Sequence, residues 1–301
     1  MTKNILVTGS SGFMGKSLVD KFNQNGSCNV FELQRESSIW KGKRYEKVDL
    51  ESQLSVNKLL MQIEFNEIYH FAGSSSIIDS WRDPLNALVY NSRLTSNLVH
   101  AINSYTAETK LIFISSSAVY ARKSIPIQEF DPLGPDSPYG MSKLISELEV
   151  ENVKNSLIIR PFFVIGRGKR DDVLFDWISQ IRSFKSYKTN ILEVGDLDII
   201  RDFISVDTSS DVIMRLGSSQ KGIYNLGSGQ STPLIEVVDI LRVISGIDFE
   251  LRPNAPKKSR RGDRKQVVAD VTKLKSVYEL SKQPTLTQQI SIIYKSFTDT
   301  F

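Results

Sequence analysis

Ile5-Leu6-Val7-Thr8-Gly9-Ser10-Ser11-Gly12-Phe13-Met14-Gly15, running on into Lys16, is the stretch from which the rest of the chain is read. An apolar run leads into three glycines spaced three apart, and a helical pattern follows, so the order is strand, turn, helix. Such glycines relieve backbone strain, let a pyrophosphate approach the main chain, and let helix and strand pack closely. The helix start then offers free N–H groups to an anion. A bland surface turn would carry the same glycines, but not between a strand and a helix at the start of an alternating pattern. Dinucleotide binding is therefore expected, with Gly9, Ser11, Gly12, Phe13, Met14 and Gly15 as the cradle.

Working outward, Leu18, Val19 and Phe22 recur at helical spacing, Asn25-Gly26 stops the helix, and Asn29–Leu33 reads as a second strand. An acidic residue usually follows that strand to hold the adenosine ribose. Here the position falls on Leu33 or Gln34, and Arg35 comes next. A guanidinium in place of a carboxylate suits a 2′-phosphate, which favours NADP over NAD, with Glu32 in the acidic role if the register slips by one. Val48-Asp49-Leu50 reads as a short third strand whose Asp either meets the adenine or caps a helix, and Leu50 lies beside it. Ile68–Gly73 reads as a buried strand whose end, Phe71-Ala72-Gly73, would let a cofactor lie against it, and His70 within it is expected to be a hydrogen-bonded core residue. Ser74–Pro84 reads as a polar loop and Leu85–Ala101 as a long helix carrying Asn91.

Composition sets limits on function. The 301 residues are 40% hydrophobic and 24% charged, and the formal net charge of +4 is too small to argue for nucleic acid. The single cysteine, Cys28, excludes an internal disulfide and a cysteine-rich metal site, and no histidine or acid stands at ligand spacing, so no metal is expected. With no apolar leader and no membrane-length run, a soluble cytoplasmic protein is expected.

The chemistry gathers later. Leu111–Ile114 reads as a strand running into Ser115-Ser116-Ser117-Ala118-Val119-Tyr120 at the sheet edge where ligands bind in open α/β folds. A proline-rich loop then leads to Tyr139-Gly140-Met141-Ser142-Lys143, placing phenol and ammonium on one face of a new helix, whose Ser146-Glu147 reads as ordinary surface. An ammonium one turn from a phenol lowers the phenol's pKa toward neutrality, and a serine across from it orients a carbonyl. That combination suits hydride transfer at a secondary alcohol carbon. Leu157–Arg160 reads as a sixth strand. Beyond Pro161 the alternation loosens, Phe203–Val206 reads as a strand returning to the first domain, and the basic run Lys257–Lys265 reads as a solvated loop or a diphosphate contact.

From Val7 to about Leu286 the chain resembles an extended short-chain dehydrogenase/reductase of the nucleotide-sugar epimerase/dehydratase/reductase group. Thr8–Gly15 matches its TGxxGxxG turn, Tyr139–Lys143 its YxxxK, and Ser116 its catalytic Ser/Thr. The resemblance implies an α/β fold: a Rossmann-type doubly wound parallel sheet with a smaller α/β substrate-binding lobe. Residues 1–160, plus a returning segment about 201–216, would form the NAD(P)-binding domain. Residues 161–200 and 217–301 would form the smaller lobe. It further implies Ser116, Tyr139 and Lys143 as the catalytic trio, Tyr139 and Lys143 also touching the cofactor. Arg201 and Arg260 would hold the nucleotide diphosphate, Ser80 and Ser117 would touch the substrate, and a homodimer would form through the helices bearing Leu85–Ala101 and Tyr139–Val150.

Two departures narrow the reaction. Where the sugar dehydratases carry an Asp-Glu pair this chain has Ser117-Ala118, and the motif Arg-Pro-x-Asn reads Arg160-Pro161-Phe162-Phe163. Dehydration is disfavoured. Reduction of a 4-keto nucleotide-deoxysugar, with Tyr139 as general acid, is the leading expectation, a 4-epimerase using the same residues is the alternative, and a non-catalytic dinucleotide sensor stands behind both.

Overall fold

The structure is a computed structural model that describes residues 2–123, 126–170, 172–253, 264–280 and 283–297. The first strand, β1 (Lys3–Thr8), enters the glycine turn and helix α1 (Phe13–Asn25), which ends on Gly26 in the left-handed conformation. Next comes β2 (Cys28–Leu33), which folds back into a short antiparallel extension, β3 (Ser38–Trp40) and β4 (Lys43–Tyr45). The expected strand at Val48–Leu50 is irregular chain instead. Ser52, rather than Asp49, caps the following α2 (Gln53–Gln62), accepting from Ser55 N–H at 3.3 Å. After β5 (Glu67–His70), the segment read as a polar loop contains the short helix α3 (Ile77–Arg82), because Ser76 accepts from Asp79 N–H and nucleates it. Asp83 then caps α4 (Pro84–Tyr105), which has Pro84 in its first turn. The strand β6 (Lys110–Ile114), a single 3-10 turn over Ser117–Val119, α5 (Pro138–Val150) and β7 (Ser156–Pro161) follow.

The remaining chain alternates between the main sheet and a second cluster. It comprises β8 (Phe163–Ile165), α6 (Val173–Tyr187), β9 (Ile191–Val194), β10 (Ile200–Arg201), β11 (Phe203–Ser205), α7 (Val206–Ser219) and β12 (Gly222–Leu226). Then come β13 (Thr232–Pro233), α8 (Leu234–Ser245), β14 (Glu250–Pro253), β15 (Gln266–Val267), α9 (Thr272–Lys275) and α10 (Leu286–Ser296). The eight-stranded sheet runs β12-β7-β6-β5-β1-β2-β3-β4, parallel from β12 to β2. Strand order reverses between β1 and β5, the switch point of a Rossmann-type sheet.

The strand that closes this sheet differs from the expected one. Phe203–Ser205 pairs with β8 in a separate two-stranded sheet, and Gly222–Leu226 takes the edge beside β7. Both segments are short and apolar, and only tertiary packing separates them. One face of the main sheet packs on α1 and α7 around Val7, Leu18, Ile112 and Leu216; the other packs on α2 and α4 around Leu6, Leu59, Leu98 and Phe113. A further core, built on Trp177, Ile181, Leu192 and Leu241, joins α6, α8 and β9.

The glycine turn lies in close backbone contact with its surroundings. Gly9 has φ of +67°, and a Cβ there would stand 2.8 Å from Ala72 N; a Cβ on Gly15 would stand 2.3 Å from Gly9 O. A Gly15→Ala variant is expected to lose about 1–3 kcal/mol of stability and to bind dinucleotide more weakly. Urea unfolding and fluorescence titration with NADPH check this, and wild-type behaviour in both would refute it.

Candidate active site

The candidate site forms where the carboxyl ends of β1, β5 and β6 meet the start of α5. Gly12 closes the turn by donating to Gly9 O at 2.9 Å and stands at the N-cap of α1 without a side-chain cap, which leaves the first N–H groups of that helix for an anion. Ser11 is exposed, and Phe13 and Met14 are half-buried against the core. Across the switch point, Thr8 receives Phe71 N–H on its carbonyl and Ala72 N–H on its hydroxyl, so the half-buried Phe71-Ala72-Gly73 segment lies directly against the turn. These features fit a dinucleotide: open backbone donors, no Cβ at the points of closest approach, and an exposed Arg35 in the turn after β2. Glu32, the alternative ribose contact, is half-buried, and burial raises its pKa. Asp49 accepts from Glu51 N–H at 2.9 Å, while Leu50 is buried in the core.

Three candidate catalytic residues converge beside this cradle. Ser116 ends the extension of β6, and its Oγ accepts from Ala118 N–H at 3.1 Å. Ser137 caps α5 by accepting from Gly140 N–H, and Pro138 occupies the first turn. A Cβ on Gly140 would stand 2.4 Å from Ala118 O, so only glycine lets the helix start press against the Ser116 turn. Tyr139, 8% exposed, is thereby brought near the Ser116 side chain, whose hydroxyl influences the phenol. Lys143, 6% exposed, donates to Ile114 O at 2.9 Å and sits 5.0 Å from the Phe113 ring centre.

The electrostatics differ from the expectation that Lys143 governs the phenol. Burial pushes Tyr139 above its ordinary value, with the nearby Ser116 hydroxyl opposing. Burial also lowers Lys143 to about 8, against the raising effect of Glu147. Tyr139 is thus neutral at neutral pH and able to donate its proton.

Other expected residues have different surroundings. The Asn91 carboxamide is taken up by protein, accepting from Ser74 N–H at 2.8 Å and donating to Ser74 O and to Ser142 Oγ, so it pins the loop after β5 to α5. Ser80 is buried in α3 and donates to Ile77 O at 2.6 Å, and Ser117 is half-buried in the 3-10 turn. Arg201 donates to Ile200 O and to Arg264 O, tying β10 to the segment before β15. Arg260 and most of the basic run lie outside the described residues. Its described end, Arg264, makes a two-pronged ion pair with Asp136, three residues before Tyr139. Sequence reading missed that link, and it missed the burial of Glu147, which pairs with Arg160 at 2.6 Å instead of facing solvent. The one signal was spacing, since Glu147 falls on the face of Tyr139 and Lys143.

Residues 5–227 match the family described as "NAD dependent epimerase/dehydratase family", and the chain belongs to it. Among its relatives, GDP-6-deoxy-D-mannose reductase of Pseudomonas aeruginosa is 29% identical, with 97% of this chain and 96% of the relative covered. UDP-arabinose 4-epimerase 1 of Arabidopsis thaliana is 26% identical over 90% of this chain and 74% of its own. A solved structure of RMD from Pseudomonas aeruginosa complexed with NADPH superposes with a TM-score of 0.85 at 27% identity, covering 100% of this chain and 99% of that one. Among the described residues no cluster of His, Cys, Asp or Glu could hold a metal ion, and no helix is long and apolar enough to cross a membrane.

His70 is a core residue, as expected: it bonds Thr8 Oγ1 at 2.7 Å and Thr95 Oγ1 at 3.2 Å, and burial, with the Lys143 charge, lowers it to about 3. In the unfolded chain it titrates near 6.5. Between these values the unfolded state binds the proton and the folded state does not, so stability falls as pH drops below 6.5. On going from pH 7 to pH 5, wild type is expected to lose about 2 kcal/mol more than His70→Gln, as urea unfolding at the two pH values would show. Equal losses would contradict the assignment.

Proposed function

We propose that this chain is a nucleotide-sugar oxidoreductase that reduces a 4-keto nucleotide-deoxysugar with NADPH, NADH being the lesser donor. The convergence of Ser116, Tyr139 and Lys143 at the start of α5, beside the glycine cradle, carries this reading. When bound, the nicotinamide dinucleotide supplies the hydride. Tyr139 then gives its proton to the developing alkoxide oxygen, Ser116 holds that oxygen, and Lys143, one helical turn away, adds a positive charge to the site. The relative named as a GDP-6-deoxy-D-mannose reductase and the NADPH in the similar RMD structure support a GDP-linked 6-deoxy-4-ketohexose as substrate and NADPH as donor. The UDP-arabinose 4-epimerase relatives support epimerisation through the same residues as the second reading.

The finer assignments follow from the same reading. Arg35 takes the 2′-phosphate, Arg201 and Arg260 take the substrate diphosphate, and the smaller lobe closes the substrate side. A homodimer through α4 and α5 is supported by the exposed Leu85, Val89, Met141 and Leu148 on those helices. The protein works in the cytoplasm.

NADPH oxidation in the presence of a GDP-linked 4-keto-6-deoxyhexose tests the reaction, and interconversion of UDP-sugars without net NADPH loss would favour the epimerase instead. Tyr139→Phe is expected to lower kcat about 10²–10⁴-fold with NADPH binding preserved. Unchanged turnover would refute Tyr139 as the general acid, while NADPH binding by the wild type without turnover of any keto-sugar would point to a non-catalytic dinucleotide sensor. Arg35→Ala is expected to weaken NADPH binding by about 1.5–3 kcal/mol and leave NADH nearly unaffected, read by fluorescence titration with each.

A further inference from the structure

One turn beyond Lys143 on α5, Glu147 is 1% exposed and faces Arg160 of β7, also 1% exposed. The carboxylate takes two bonds from the guanidinium, at 2.9 Å from Nε and 2.6 Å from Nη2, and a third from Ser115 Oγ. Arg160 in turn donates to Glu129 O at 3.0 Å and lies 4.7 Å from the Tyr120 ring centre; the Tyr120 hydroxyl donates to Asn225 Oδ1 at 2.6 Å. Every arm of the pair is therefore satisfied. Burying two charges is nonetheless costly, and apolar residues of similar volume commonly serve stability as well or better. Stability alone is a weak reason for the pair, and its neighbours suggest another.

Lys143 is the neighbour that gains. Its ammonium is buried against the Ile114 carbonyl and the Phe113 ring. The titratable and charged groups around it are few: His70 on β5, held neutral by burial; Tyr139 and Glu147 on its own helix; and Arg160 on β7, whose like charge Glu147 offsets. From α4 come only the uncharged Asn91 and Thr95, bonded to Ser142 and Ser146, while Asp79 and Arg82 of α3 pair with each other at the surface. Among these, Glu147 alone brings a negative charge to Lys143, and it is also bonded to the residue preceding Ser116.

We propose that Glu147 is a positioning residue for the candidate catalytic trio: its carboxylate, locked by Arg160 and Ser115, sets a negative charge one helical turn from Lys143 and ties α5 to the Ser116 turn. The proposal rests on the hydride-transfer reading for its catalytic meaning, but the charge relationship is measurable without any sugar.

The test follows the Cε signal of Lys143 by NMR in protein labelled with ¹³C-lysine, assigned with Lys143→Met, from mildly acidic to alkaline pH. In Glu147→Gln the Lys143 midpoint is expected to fall by about one pH unit, a tenfold lower ratio of ammonium to free amine at a given pH. The double variant Glu147→Gln/Arg160→Met removes the stranded guanidinium charge as well and is expected to show a smaller fall in the same direction if the single variant does not fold. An unchanged Lys143 midpoint in whichever variant folds would overturn the proposal, as would unfolding of both, since the pair would then be structural. A wild type that consumes no NADPH with any keto-sugar would refute the proposed reaction and leave this titration to decide the Glu147 relationship by itself.

Discussion

The ion pair between Glu147 and Arg160 constrains how the candidate site can be built. Two opposite charges removed from water must meet with good geometry or the fold loses several kcal/mol. Here the guanidinium bonds both carboxylate oxygens, which permits little sliding of α5 along β7. With Ser115 bonded to the same carboxylate, helix α5 and the ends of β6 and β7 are set together. Tyr139 and Lys143 inherit their positions from that setting, and Gly140 lets the helix start come close enough to use it.

How far the site could be read from sequence depends on whether each residue's role is local. The glycine turn was legible because backbone geometry demands glycine there whatever surrounds it: Gly9 adopts a left-handed conformation and Gly15 has no room for a side chain. Tyr139 and Lys143 were legible because helical spacing puts them on one face. Glu147 and Arg160 were not legible as a pair, because Glu147 reads as ordinary helix surface and Arg160 as the end of a strand, and their burial makes sense only once both are seen across the gap between α5 and β7. That Gly222–Leu226 takes the sheet edge beside β7 was not legible for a similar reason. Two short apolar segments competed for the sheet edge, and nothing within either one announces which pairs with β7. The α3 helix was hidden by a polar stretch whose serine proved to be a cap.

Ties also run between the two cores. Asp202 is wholly buried between β10 and β11 and accepts from Ser228 N–H and Oγ, from Gly229 N–H and from Ala269 N–H, fastening segments far apart in sequence. Burial raises the pKa of this carboxyl and the four donors oppose that rise, so its charge is held by hydrogen bonds and not by a cation. Arg264 makes a comparable tie from β15 to the loop that precedes α5. The two cores are therefore braced against each other in part through polar groups, which need exact directions.

The late entry of β12 into the sheet bears on how the chain comes to be folded. Parallel pairing of β12 with β7 joins segments between which β8 through α7 are threaded. During synthesis β1, β2, β5, β6 and β7 emerge first, and until β12 arrives the flank of β7 presents unpaired backbone groups. Non-local parallel pairing of this kind is slow, and an open strand flank invites association with other chains. The nascent protein thus passes through a stage at which its sheet is open on the very side that holds Arg160, and its vulnerability to aggregation is greatest there.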